Sequence, residues 1–109
     1  MTYYFVKVPK LPKDVTHQMG TVEVVEYPTK EGDEVKPGQT IAIVENWWAR
    51  MALKAIGSGY LSKTFFSSGA HVLIGDPLAI ITCDTEDGPK GNESCELEII
   101  EHIREKPLK

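Results

Sequence analysis

The stretch EGDEVKPGQTIAIVE (31–45) lies over SGAHVLIGDPLAIIT (68–82) without a gap, at an offset of 37 residues. Gly32 meets Gly69, Val35 meets Val72, Gly38 meets Gly75, Ala42 meets Ala79 and Ile43 meets Ile80; upstream, Gly20 meets Gly57. Each copy must bury its apolar positions against something, and two copies are too few to stack as a solenoid. The expected solution is a folded-over pair related by a pseudo-two-fold axis. Both copies follow one order: strand, glycine turn, valine, glycine turn, apolar strand. Gly32 and Gly69 stand where a turn calls for positive φ, and Pro37 followed by Gly38 suits the two central positions of a type II turn.

The segments between the turns are short and alternating or continuously apolar, as in TVEVVEY (21–27), TIAIVE (40–45), ARMALKA (49–55) and PLAIIT (77–82). None has the length or period of a helix. Strands are expected near 3–8, 21–27, 34–36, 40–45, 49–55, 59–65, 71–73 and 77–82. This density of short strands and turns predicts an all-β sandwich or barrel. At 109 residues and 41% hydrophobic content, the chain suffices for one core closed without metals or disulfides.

Three regions are expected along the chain: the folded body over 1–83, a linker over 84–94 and a tail over 95–109. Within the body, PKLPKDVTHQMG (9–20) reads as a loop. The linker segment is rich in Gly, Pro and acidic residues and nearly devoid of apolar ones. In the tail, Leu97, Ile100 and Ile103 form a helical stripe, while Leu97 and Ile99 alternate with Glu96 and Glu98 as a strand would. Early glutamates, late Arg104 and Lys106, and Pro107 as a terminator favour a short helix.

Several functions are disfavoured. The formal charge of −4 and the scatter of basic residues do not suit a nucleic-acid partner. Met1 to Val8 hold one basic residue and a very short apolar run, which fits neither a secretory signal nor a membrane span; a cytoplasmic protein with no membrane partner is expected. Cys83 and Cys95 are isolated and expected to be free thiols. His17, His71 and His102 show no ligand spacing with them, so no metal site is expected. No nucleophile, base and acid set or phosphate-binding glycine loop occurs, so no catalytic residues are assigned. Glu31 and Asp33 read as solvated turn acids.

The double glycine-turn repeat, with VPKL near the start and AIGSGYLSKTFFSSGAHVLIGDPLAIIT after the midpoint, resembles the biotinyl and lipoyl carrier domains over about Tyr4 to Cys83. The resemblance implies a flattened barrel, or barrel-sandwich hybrid, of two four-stranded sheets with pseudo-two-fold symmetry. It also implies a hairpin between the halves, whose tip presents the lysine that receives biotin or lipoate, three residues after a glutamate. Here that pattern falls on Glu45, Asn46, Trp47, Trp48 and Ala49, and the lysine position is Trp48. Indole nitrogen is not a nucleophile and cannot form the tethering amide.

Arg50 stays protonated and is not acylated. Lys54 is the nearby substitute, six residues past Trp48, but bringing it to the tip would shift β register and displace a buried face. The expected function is therefore a non-catalytic interaction or scaffold module without cofactor. Its tip residues Asn46, Trp47, Trp48 and Arg50 would bind a protein partner or a second copy, tryptophan and arginine being enriched at interface hot spots. The alternative is a biotin or lipoate carrier subunit, modified at a non-standard lysine such as Lys54, in a carboxylase, 2-oxoacid dehydrogenase or glycine-cleavage type system.

Overall fold

A computed structural model of the protein describes residues 2–11, 21–47, 49–83 and 95–102. The expected linker 84–94, Trp48, His17, Gly20 and the tail from residue 103 onward lie outside the described residues. The strands are β1 (Thr2–Lys7), β2 (Thr21–Glu26), β3 (Glu34–Val35), β4 (Thr40–Glu45), β5 (Ala49–Ala55), β6 (Gly59–Thr64), β7 (His71–Leu73), β8 (Pro77–Cys83) and β9 (Cys95–His102). They form two sheets, ordered β1-β8-β6-β3 and β7-β2-β4-β5-β9, with every pairing antiparallel. The architecture is the all-β flattened barrel, and the eight strands expected in the body recur within one residue at each end.

The repeat is realised bond by bond. Lys30–Asp33, Lys36–Gln39, Ser67–Ala70 and Leu73–Asp76 are each closed by a backbone bond from the fourth residue to the first. Each has its glycine third, at φ +94, +87, +93 and +96, the signature of type II turns. The halves also interlock: Gly32 N–H donates to Leu61 C=O and Gly69 N–H to Val24 C=O, both at 2.7 Å, with the two donors, and the two acceptors, offset by the same 37 residues as the repeat. Between β1 and β5 the mates are 47 residues apart: Lys54 faces Thr40 as Lys7 faces Pro77, and Arg50 faces Glu45 as Tyr3 faces Thr82.

Alternation along the strands supplies the core. Val6, Val24, Ile41, Val44, Met51, Leu53, Leu61, Leu78 and Ile81 are completely buried, and each large aliphatic side chain contributes about 1.5–3 kcal/mol by leaving water. Ala42 and Ala79, mates in the repeat, are buried as well.

The C-terminal stretch corrects the sequence expectation. Residues 95–102 are a strand and not a helix, and the second sheet has five strands instead of four. β9 runs antiparallel to β5, with Cys95 opposite Ala55, Glu96 opposite Lys54 and Glu101 opposite Arg50. Glu98 forms an ion pair with Lys54. The apolar stripe that suited a helix is outweighed by a partner invisible in the local sequence: the open edge of β5 offers backbone groups and two cations. Leu97 and Ile99 pack on the core, while Ile100 stays exposed.

Candidate functional site

The β4–β5 hairpin joins the two halves, and its ladder fixes what stands at its end. Val44 pairs with Met51 and Glu45 with Arg50, so the chain turns over 46–49. Asn46 N–H donates to Ala49 C=O at 3.0 Å, and Ala49 N–H donates to Asn46 Oδ1 at 2.8 Å. No non-glycine among the described residues has positive φ, so Trp47 is not in the left-handed conformation used by the tightest hairpin turns. The Asn46 side chain supplies a closing bond instead. Buried Val44, Ala49 and Met51 anchor the turn to the core.

At this tip Trp47 is 61% exposed. An indole normally contributes its large apolar surface to a core or an interface; here more than half of it meets water. Just below, Arg50 Nε donates to Glu45 Oε1 at 3.0 Å across the hairpin. Both side chains are partly exposed, so the pair is worth about 1 kcal/mol or less. Its effect is chiefly positional, keeping the guanidinium alongside the tip.

Asn46, Trp47 and Arg50 are thus brought together, as the sequence predicts, and Trp48 between Trp47 and Ala49 is outside the described residues. Lys54 is not brought to them. It stands five residues beyond Ala49, about 17 Å along an extended strand, and is held by Glu98. Asn46 was legible as a turn residue, but its bond to Ala49 was not, because it depends on turn geometry.

Other polar groups brace the barrel. Glu31 is more than a solvated turn acid: its Oε2 accepts from Thr64 N–H at 2.8 Å and Oγ1 at 3.2 Å, tying one half to the other. Asp33 Oδ2 accepts from Lys30 N–H within its own turn. Cys83 and Cys95 are buried, their thiols donating to the carbonyls of Ser58 and Lys7. Burial pushes the Tyr4 hydroxyl up to about 12, with Cys83 adding to the effect, and the hydroxyl donates to Gly57 C=O at 3.0 Å. Burial likewise raises Tyr27, whose hydroxyl donates to Phe66 C=O at 2.8 Å. Among the described residues no group of three or more His, Cys, Asp or Glu side chains could hold a metal ion.

Two interlocked half-barrels joined by a projecting hairpin define a lipoyl-like barrel. Residues 6–81 match the sequence model of the family described as biotin-requiring enzyme, and the chain belongs to this biotin/lipoyl family. It is 39% identical over 66 residues to the dihydrolipoyllysine-residue acetyltransferase component of the mitochondrial pyruvate dehydrogenase complex of Dictyostelium discoideum, covering 59% of this chain and 10% of that protein. It is 36% identical over 59 residues to component 3 of the corresponding acetyltransferase of Arabidopsis thaliana, covering 53% and 11%. The chain thus matches about a tenth of the length of each relative. Domains of this family carry lipoate or biotin on a lysine and are not themselves catalytic.

Proposed function

We propose that this protein is a biotinyl/lipoyl-type domain that carries no cofactor and binds protein through its hairpin tip. In this reading Trp48 occupies the attachment-lysine position, and Asn46, Trp47, Trp48 and Arg50 form the contact. The carrying observation is the exposed Trp47 on a turn closed by Asn46. A carrier needs an accessible amine at its tip, whereas an indole on a braced turn suits a hot spot that a partner desolvates. The relatives are components of a multienzyme complex, which supports a protein of such an acyl-transferring assembly as the partner class.

The carrier alternative would require modification of a non-standard lysine such as Lys54. The strand position of Lys54 and its ion pair with Glu98 weigh against it. Affinity purification with isotope-labelled wild type and the Trp47→Ser, Trp48→Ser double variant tests the docking reading. The expected result is a defined partner retained by wild type and lost by the variant. Equal recovery with both proteins, at equal folded content, would contradict it.

A further inference from the structure

β9 lies outside the internal repeat, yet it follows the hairpin strand β5 as far as the turn. From Cys95 opposite Ala55 to Ile99 opposite Met51 the two strands keep one register. Between Met51 and Arg50 the register shifts, so that Glu101 faces Arg50 and His102 faces Ala49. Ile100 is therefore the extra residue of a β-bulge, level with the Glu45–Arg50 pair that closes the ladder below the turn.

The bulge decides which side chains reach the outer face. Alternation from exposed Glu96 and Glu98 turns Ile100 outward and would turn Glu101 back toward the barrel interior. The extra residue returns Glu101 to the outer face, directly across from Arg50, and a carboxylate escapes burial. Two successive outward residues result: Ile100 is 51% exposed, and Glu101 is exposed beside it. An apolar side chain is thus held next to the guanidinium that Glu45 keeps alongside the tip.

The same register sets the charge at this end of the sheet. Taken from β7 to β9, the paired positions are His71, Glu23, Glu45, Arg50 and Glu101. In this row three carboxylates stand against one guanidinium. Arg50 links two exposed apolar residues, lying three residues past Trp47 on the hairpin and across from the bulge that carries Ile100.

We propose, resting on the tip reading above, that the docking surface is composite: the hairpin supplies Trp47 and Arg50, and the β9 bulge supplies Ile100 and Glu101. Its occupant is a protein segment with an apolar side chain at its centre and lysine or arginine around it. The apolar centre covers Trp47 and Ile100, which gain by leaving water together. The surrounding cations meet Glu23 and Glu101, whereas an acidic segment would set like charge against the row.

Residue-resolved NMR titration of the full chain with two synthetic peptides tests this, one leucine-centred and flanked by lysines, the other its counterpart flanked by glutamates. With the lysine peptide, the amides of Trp47, Arg50, Ile100 and Glu101 should shift along one binding curve that weakens as salt is added. The glutamate peptide should bind at least about tenfold more weakly. Ile100→Ser and Glu101→Lys should each weaken the lysine peptide at least about threefold. Binding that needs Trp47 but is indifferent to both β9 substitutions, or shifts confined to the hairpin, would overturn the composite surface and leave the tip reading standing. Binding indifferent to Trp47→Ser would overturn both. Equal binding of the two peptides, or of neither, would overturn the partner chemistry. Ile100 and Glu101 are exposed, so neither substitution reaches the core, and the wild-type shift map decides even if one variant misfolds.

Discussion

Replacing Asn46 with alanine removes the acceptor of the Ala49 amide at 2.8 Å while leaving the backbone bond from Asn46 N–H to Ala49 C=O. Ala49 is completely buried, so its N–H would lose a bond with little water to replace it. The loss of one such bond, with a partly desolvated donor left behind, costs about 1–2 kcal/mol. In a domain of this size each kcal/mol lowers the melting temperature by about 4–8 °C. Asn46→Ala is therefore expected to melt about 4–16 °C lower than wild type. Asn46→Asp keeps an oxygen in place and should recover most of the loss. Calorimetry of the three proteins at neutral pH provides the assay, and Trp47→Ser, Trp48→Ser serves as a control for lost ring contacts. An Asn46→Ala protein as stable as wild type, or an Asn46→Asp protein as unstable as Asn46→Ala, would refute the role given to this bond. The same closure organises the binding surface, so Asn46→Ala should also weaken partner capture despite leaving both indoles intact.

Backbone geometry and titration give two further expectations. A Cβ on Gly59, at φ +156, would lie 2.5 Å from Thr82 C=O oxygen and 2.7 Å from Ile81 Cγ2, so Gly59→Ala should cost about 3 kcal/mol. Gly32→Ala, at φ +94 with nothing within 4 Å, should cost only the left-handed backbone penalty of about 1–2 kcal/mol; denaturant midpoints showing the reverse order would contradict this. Tyr4 is raised from 10 to about 12 by burial first, so the unfolded chain releases this proton earlier and stability falls as pH climbs from 10 toward 12. Partial exposure screens the effect to about 1 kcal/mol, and Tyr4→Phe should flatten that slope in pH-dependent denaturation.

The body of the fold was legible because its information is local and repeated. Glycines at four corresponding turn positions and alternation between them set the strand limits and the pairing of halves. β9 was not, because a strand edge is stabilised by whatever lies beside it, and β5 lies about 40 residues away in sequence. Lys54 and Arg50 turned out to be opposite glutamates that had looked like the start of a helix. At the tip, the grouping of Asn46, Trp47 and Arg50 followed from the hairpin, while the Asn46–Ala49 and Glu45–Arg50 bonds required three-dimensional geometry. The Glu31 clip to Thr64 was hidden for the same reason: its partner is 33 residues away.

Intact-mass measurement after co-expression with lipoate and biotin ligases, each supplied with its cofactor, is the most direct test of a tip without an attachment amine. The expected product has the unmodified mass, whereas Trp48→Lys should gain a cofactor mass if the ligase still recognises the barrel. A wild-type chain bearing lipoate or biotin, mapped to Lys54 or any other lysine, would contradict the proposed function.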